Sequence, residues 1–170
     1  MPQHKVYDDE LHAHFITFSC DGRRHLLGDN QCKEIAISIL DDQLKKRRGK
    51  CAGFVIMPNH IHSIIWFPQP GIISEFVQQW KRLCSFQIKQ LYRNKLIRYA
   101  QHLDPSLPIW LPRFYDFNIF SQDDMLEKLK YIHENPVKAG LAETAAEWKY
   151  SSARWYEMHQ PVGVDIDPLI

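Results

Sequence analysis

No apolar run in the 170 residues approaches the roughly 20 that a bilayer span requires. The N-terminal stretch MPQHKVYDDELHAHF lacks the apolar core of a secretion signal. These two absences predict a cytoplasmic protein with no membrane partner. The four cysteines, Cys20, Cys32, Cys51 and Cys84, show no C-x-x-C spacing. They read as small buried thiols rather than a redox pair or a zinc knuckle. Repeats and low-complexity linkers are also missing, so one domain is expected over residues 1–170. Its core would span about 12–142, with a helical tail over 143–170.

Acid is the most informative absence. Between residues 76 and 103 there is no Asp or Glu, yet Lys81, Arg82, Lys89, Arg93, Lys95 and Arg98 all lie there. The net charge of +1 conceals this segregation. A second basic run, Lys45 to Lys50, reads either as a solvated face or as part of the same surface. A helix whose polar side carries only cations repels itself, and a phosphate backbone relieves that repulsion. Trp80, Phe86, Tyr92 and Tyr99 interleave the cations and suit stacked bases. Tyr92 and Tyr99 serve equally well as core.

What is present sorts into alternating elements. HAHFITFSC, 12–20, alternates like a strand, and Asp21-Gly22 marks a turn. Asp29 or Asn30 caps a helix running to about Arg48. CAGFVIMP and HIHSIIWF follow as two strands separated at Pro58-Asn59. Ser74 is expected to cap a long amphipathic helix. RFYDFNIF, 113–120, reads as a fourth strand, and Ser121 caps a further helix. Pro136 predicts that this helix ends near Asn135. A short helical tail over 144–157 closes the chain. The order β-α-β-β-α-β predicts an α+β, ferredoxin-like split β-α-β fold, an antiparallel sheet with helices on one face and extra C-terminal helices. The other face would be free as a platform.

Two features carry chemistry. Side chains at i and i+2 of a strand share a face, so His60 and His62 stand together, about 6.6 Å apart at Cα. A bare H-x-H is often just a pair of satisfied histidines. Here the Pro-Asn break fixes where the strand begins and where the rings stand, and two neutral imidazoles can hold a divalent metal. Such ligands predict activity that falls as pH drops through about 6.5. On the helix after Ser121, Met125, Leu129 and Ile132 form an apolar stripe, with Leu126 at its edge. Tyr131 lies roughly 100° off that stripe, beside Asp124, Lys128 and Asn135. A tyrosine so placed is a candidate nucleophile, provided something makes its phosphate target more reactive. Lys128 reads either as a phosphate contact or as a solvated lysine.

Four segments in this order resemble the HUH-type single-tyrosine transposases, in the branch of REP-associated tyrosine transposases (RAYTs): MPNHIH at 57–62, WLPRFYDFNI at 110–119, YIHENPVKAGL at 131–141 and EWKYSSARWY at 147–156. The resemblance implies that His60 and His62 bind Mg²⁺ or Mn²⁺, with Asn135 as a further ligand. It implies that Tyr131 attacks single-stranded DNA near an imperfect hairpin, leaving a 5′-phosphotyrosine and a free 3′-hydroxyl. A monomer or a homodimer that exchanges the tyrosine helix would serve. A hairpin-binding protein without catalysis, or a metal hydrolase using an activated water, are the alternatives.

Overall fold

A computed structural model describes residues 6–95, 104 and 106–169. In chain order its elements are β1 (Ala13–Ser19), α1 (Asn30–Lys46), β2 (Lys50–Ile56), β3 (His60–Trp66), α2 (Ile73–Asn94), β4 (Tyr115–Ile119), α3 (Gln122–Lys138) and α4 (Ala153–Met158). The strands form one antiparallel sheet in the order β2-β3-β1-β4. This is the α+β split β-α-β arrangement read from the sequence.

The sheet buries both faces. Ile16, Phe18, Phe54, Ile61 and Ile65 join α1 and α2 in the larger core. Phe15, Val55 and Ile64 pack with Met125 and Ile132 of α3 in a smaller one. The second face is therefore no bare platform, because α3 lies on it. Gly53 lets the helix approach: a Cβ there would stand 2.5 Å from Leu129 Cδ1 and 3.2 Å from Ser152 Oγ.

Three boundaries differ from the sequence reading, each for a stated reason. Ser74 does not cap α2. The helix begins earlier, and Asp8 supplies the cap, its carboxylate accepting from the Ile73 amide at 2.9 Å. The α3 helix does not stop near Asn135 but runs to Lys138 with Pro136 inside it. The missing N–H falls in the last turn, and the end is closed by Ala139 N donating to Asn135 O (3.0 Å) and Leu141 N to Pro136 O (2.9 Å). The tail is not one helix. A 3-10 turn at Ala145–Glu147 and α4 flank an extended piece in which Ser151 bridges to Val55. The caps at Asp29 and Ser121 are as read: each side chain accepts from a first-turn amide.

That extended piece and the segment near Asp167 close the β2 edge. Ile56 N donates to Tyr150 O (2.8 Å), Ser152 N to Phe54 O (2.9 Å) and Asp167 N to Cys51 O (2.9 Å). An exposed strand edge invites unwanted pairing, and here the chain covers its own. His133 of α3 joins the seam, its Nε2 2.8 Å from Ser152 Oγ.

Burial pushes the His133 imidazole down to about 4. An unfolded chain would take up that proton near 6.5, whereas the folded one resists until about 4. Stability is therefore full above pH 6.5 or so and declines as pH falls through that window, by up to about 3 kcal/mol from this residue. Melting temperatures of wild type and His133→Gln, measured from pH 7.5 to 4.5, should converge as pH falls; parallel curves would contradict the assignment.

Candidate active site

The β3 strand opens with His60 and His62, as the two-residue repeat requires, and their ring centroids are 4.7 Å apart. His62 is buried and His60 half-buried. The α3 helix crosses above them and delivers Asn135 between the rings. Asn135 Oδ1 lies 3.2 Å from His60 Nε2, and its Nδ2 lies 3.4 Å from His62 Nε2. One helical turn earlier, the Tyr131 ring sits edge-on to His62 at 5.2 Å. The tyrosine is 44% exposed, so its ring rests against the site while part of it faces solvent.

The outer nitrogens are held too. His60 Nδ1 lies 2.7 Å from Asn59 Oδ1, and His62 Nδ1 lies 2.6 Å from the Thr17 hydroxyl. Thr17 reaches His62 because β1 pairs with β3 in that register. Each Nδ1 is committed outward, which orients both Nε2 atoms toward Asn135. With Asn59 Oδ1 taking the proton of His60 Nδ1, the His60 Nε2 lone pair faces Asn135 Oδ1. In this amide orientation two acceptors oppose each other, an arrangement that a cation between them satisfies.

Burial lowers the affinity of both imidazoles for protons. His62 falls to about 3, through desolvation and then the neighbouring His60; His60 falls through desolvation and, more weakly, the charge of Arg23, against the hydrogen bond that its protonated ring would donate to Asn135 Oδ1. Both shifts move the expected loss of ligand capacity below pH 6.5, and for His62 well below it.

Phe15 gathers the remaining parts. Its ring stacks on His62 (5.5 Å, 17° between planes) and meets Tyr131 edge-on at 6.0 Å. Lys128 Nζ sits 5.2 Å above the same ring and 4.7 Å from that of Phe117. Lys128 is thus partly withdrawn from solvent, its side chain 22% exposed. It is pinned on the sheet next to the tyrosine.

Residues 7–135 match the family described as Transposase IS200 like. The chain belongs to the IS200-like transposase family. Within that breadth it is similar to a REP-associated tyrosine transposase of Escherichia coli, 24% identical over 99% of this chain and 90% of that one. A Haemophilus influenzae protein described in the same terms is 30% identical over 118 residues, 66% of this chain; the match spans only 61% of that relative's length. A solved REP-associated tyrosine transposase bound to a REP hairpin shares the fold, with a TM-score of 0.72 at 22% identity, covering 99% of this chain and 93% of that one.

On this member of the family the cationic residues read from the sequence divide. Lys81 is half-buried, and its ammonium is engaged within the chain. Its ammonium donates to Leu111 O (2.6 Å) and Arg113 O (3.3 Å), and burial lowers it to about 8. It fastens the segment after α2 to the helix, as does Trp110 Nε1, which donates to Lys81 O at 3.0 Å. Arg82, Arg93 and Lys95 are exposed and Lys89 half-buried, while Arg98 and Tyr99 lie outside the described residues. Trp80 and Tyr92 belong to the core, Tyr92 donating to Leu26 O. Phe86, 61% exposed, stands among the cations. The Lys45–Lys50 run is a solvated face: Lys45, Lys46, Arg47 and Lys50 pair with Asp41, Asp42, Glu75 and Asp167.

Sequence reasoning missed Thr17, Asn59 and Phe15. Asn59 adjoins His60 and was within reach of it. Thr17 and Phe15 depend on strand register, which no local pattern encodes.

Proposed function

We propose that this protein cuts single-stranded DNA beside a hairpin and transfers the broken end, with Tyr131 as nucleophile. The observation that supports this reading most is the convergence of Tyr131, His60, His62 and Asn135 within one chain. No helix exchange with a second subunit is needed to complete the site.

His60 Nε2, His62 Nε2 and Asn135 Oδ1 would hold a divalent cation. No group of three or more His, Cys, Asp or Glu side chains among the described residues offers another metal position. Two imidazoles and one amide oxygen bring no negative charge and suit Mn²⁺ better than the oxygen-demanding Mg²⁺. A cation bound there supplies Lewis-acid withdrawal of charge from the scissile phosphate. The phenol oxygen of Tyr131 attacks phosphorus and loses its proton; the P–O3′ bond breaks, and the departing 3′-oxygen gains a proton. A 5′-phosphotyrosine and a free 3′-hydroxyl remain. Attack on that linkage by another 3′-hydroxyl re-forms a phosphodiester and returns the phenol, so no external energy source is required. Thr17 and Asn59 hold the imidazoles in register, Phe15 positions the tyrosine ring, and Arg82, Lys89, Arg93 and Lys95 are placed to meet phosphates along the stem. The partner is a DNA hairpin with a single-stranded flank. No described helix is long and apolar enough to cross a membrane.

Incubating the protein with end-labelled hairpin DNA and Mn²⁺ should yield a band that survives denaturation and disappears on proteolysis. Cleavage with no protein attached would favour the activated-water hydrolase. Binding without cleavage in either Mn²⁺ or Mg²⁺ would favour a non-catalytic hairpin binder.

A further inference from the structure

Arg23 and Arg24 are neighbours with opposite circumstances. Arg24 is fully engaged: Nε donates to Asp21 O (3.1 Å), and a terminal nitrogen donates to Asp21 Oδ2 (3.2 Å) and Pro108 O (2.8 Å). The Arg23 guanidinium is exposed and has no hydrogen-bond or ion-pair partner among the described residues. Asp21, two residues before it, is already paired with Arg24.

The backbone under Arg23 is unusual. Gly22 and Arg23 both lie in the left-handed region, with φ of 60° and 52°. Glycine adopts this conformation freely; arginine does so at a cost. The turn is locked next to the candidate active site. Cys20 N donates to Asn59 O (2.8 Å) and Arg23 N donates to Cys20 O (3.0 Å). Asn59 Nδ2 approaches Arg23 O at 3.5 Å, while the oxygen of the same amide holds His60 Nδ1. A single side chain thus spans from the imidazole to the arginine turn. Strained backbone of this kind gathers where a side chain is held for a ligand rather than for the fold.

We propose that Arg23 binds a phosphate of the single-stranded segment flanking the cleavage position, fixing the strand against the His60 end of the site. This rests on the DNA-cutting function proposed above and adds a contact to it. A guanidinium without an internal partner has its donors free for phosphate oxygens.

The test uses a Tyr131→Phe background, in which binding is not complicated by cleavage. The probe is a fluorescein-labelled DNA hairpin with a single-stranded flank, titrated by anisotropy over a range of NaCl concentrations. Arg23→Gln should flatten the dependence of log K on log salt by about 0.7, the value for one single-strand phosphate contact. Arg23→Lys should keep most of the wild-type slope, and Arg24→Gln should leave the slope unchanged. Arg23→Gly removes charge and strain together; it should lose the same slope while keeping its melting temperature, which a merely structural arginine would not do. An unchanged slope in both Arg23→Gln and Arg23→Gly overturns the proposal. So does an equal loss in Arg24→Gln. Because these are binding measurements, failure of the wild-type protein to form a covalent adduct would sink the nicking mechanism and leave this result readable.

Discussion

Tyr131→Phe is expected to lose the covalent DNA adduct completely, with strand cleavage down on the order of 10³-fold or more, because in the proposed mechanism its phenol supplies the attacking oxygen. The same change should barely affect folding. The ring keeps its edge contacts with His62 and Phe15, and among the described residues no hydrogen bond from the Tyr131 hydroxyl holds another element. A shift within about 0.5 kcal/mol is typical of such a substitution. Hairpin affinity should also persist, since the phenol oxygen is one contact among many. Denaturing gels of labelled DNA read the adduct, and anisotropy reads the binding. An adduct in the variant would remove Tyr131 from the mechanism. Cleavage at the wild-type rate without an adduct would transfer the chemistry to water.

The second large effect concerns the imidazoles. His60→Gln should reduce Mn²⁺-dependent cleavage at least 100-fold or so, because it removes a direct donor, and even partners one step out typically cost 10–100-fold. Thr17→Val and Asn59→Ala should fall within that smaller range, about 10–100-fold, because each leaves the donors in place but frees a ring to turn. Initial rates across Mn²⁺ concentrations, with Mn²⁺ affinity measured separately by electron paramagnetic resonance, would show whether rate and affinity fall together. A His60→Gln protein that cuts like the wild type would refute the ligand assignment. His60 is the better target, because His62 is buried against Phe15 and its loss would also disturb packing.

The legible parts of this site depended on local geometry. Alternation along β3 placed His60 and His62 on one face whatever the rest of the chain did. Helical periodicity set Tyr131 off the apolar stripe and one turn before Asn135, and the caps at Asp29 and Ser121 followed from short-range hydrogen bonding. What escaped depended on distant segments. The Asp8 carboxylate caps a helix that starts 65 residues later. Lys81 belongs to a basic run by composition, yet its ammonium is consumed by carbonyls some 30 residues away. Thr17 meets His62 only through a β1–β3 register fixed by packing. Pro136 misled for a subtler reason: the rule that proline ends a helix holds in its interior, and here the missing donor falls where the final turn has other acceptors and donors to use.

Under the proposed mechanism, a phenol and both imidazoles on one polypeptide give each molecule a single covalent berth for DNA. Relocating a segment opens two junctions. One copy must therefore discharge its first passenger before boarding the second, or a companion must carry it.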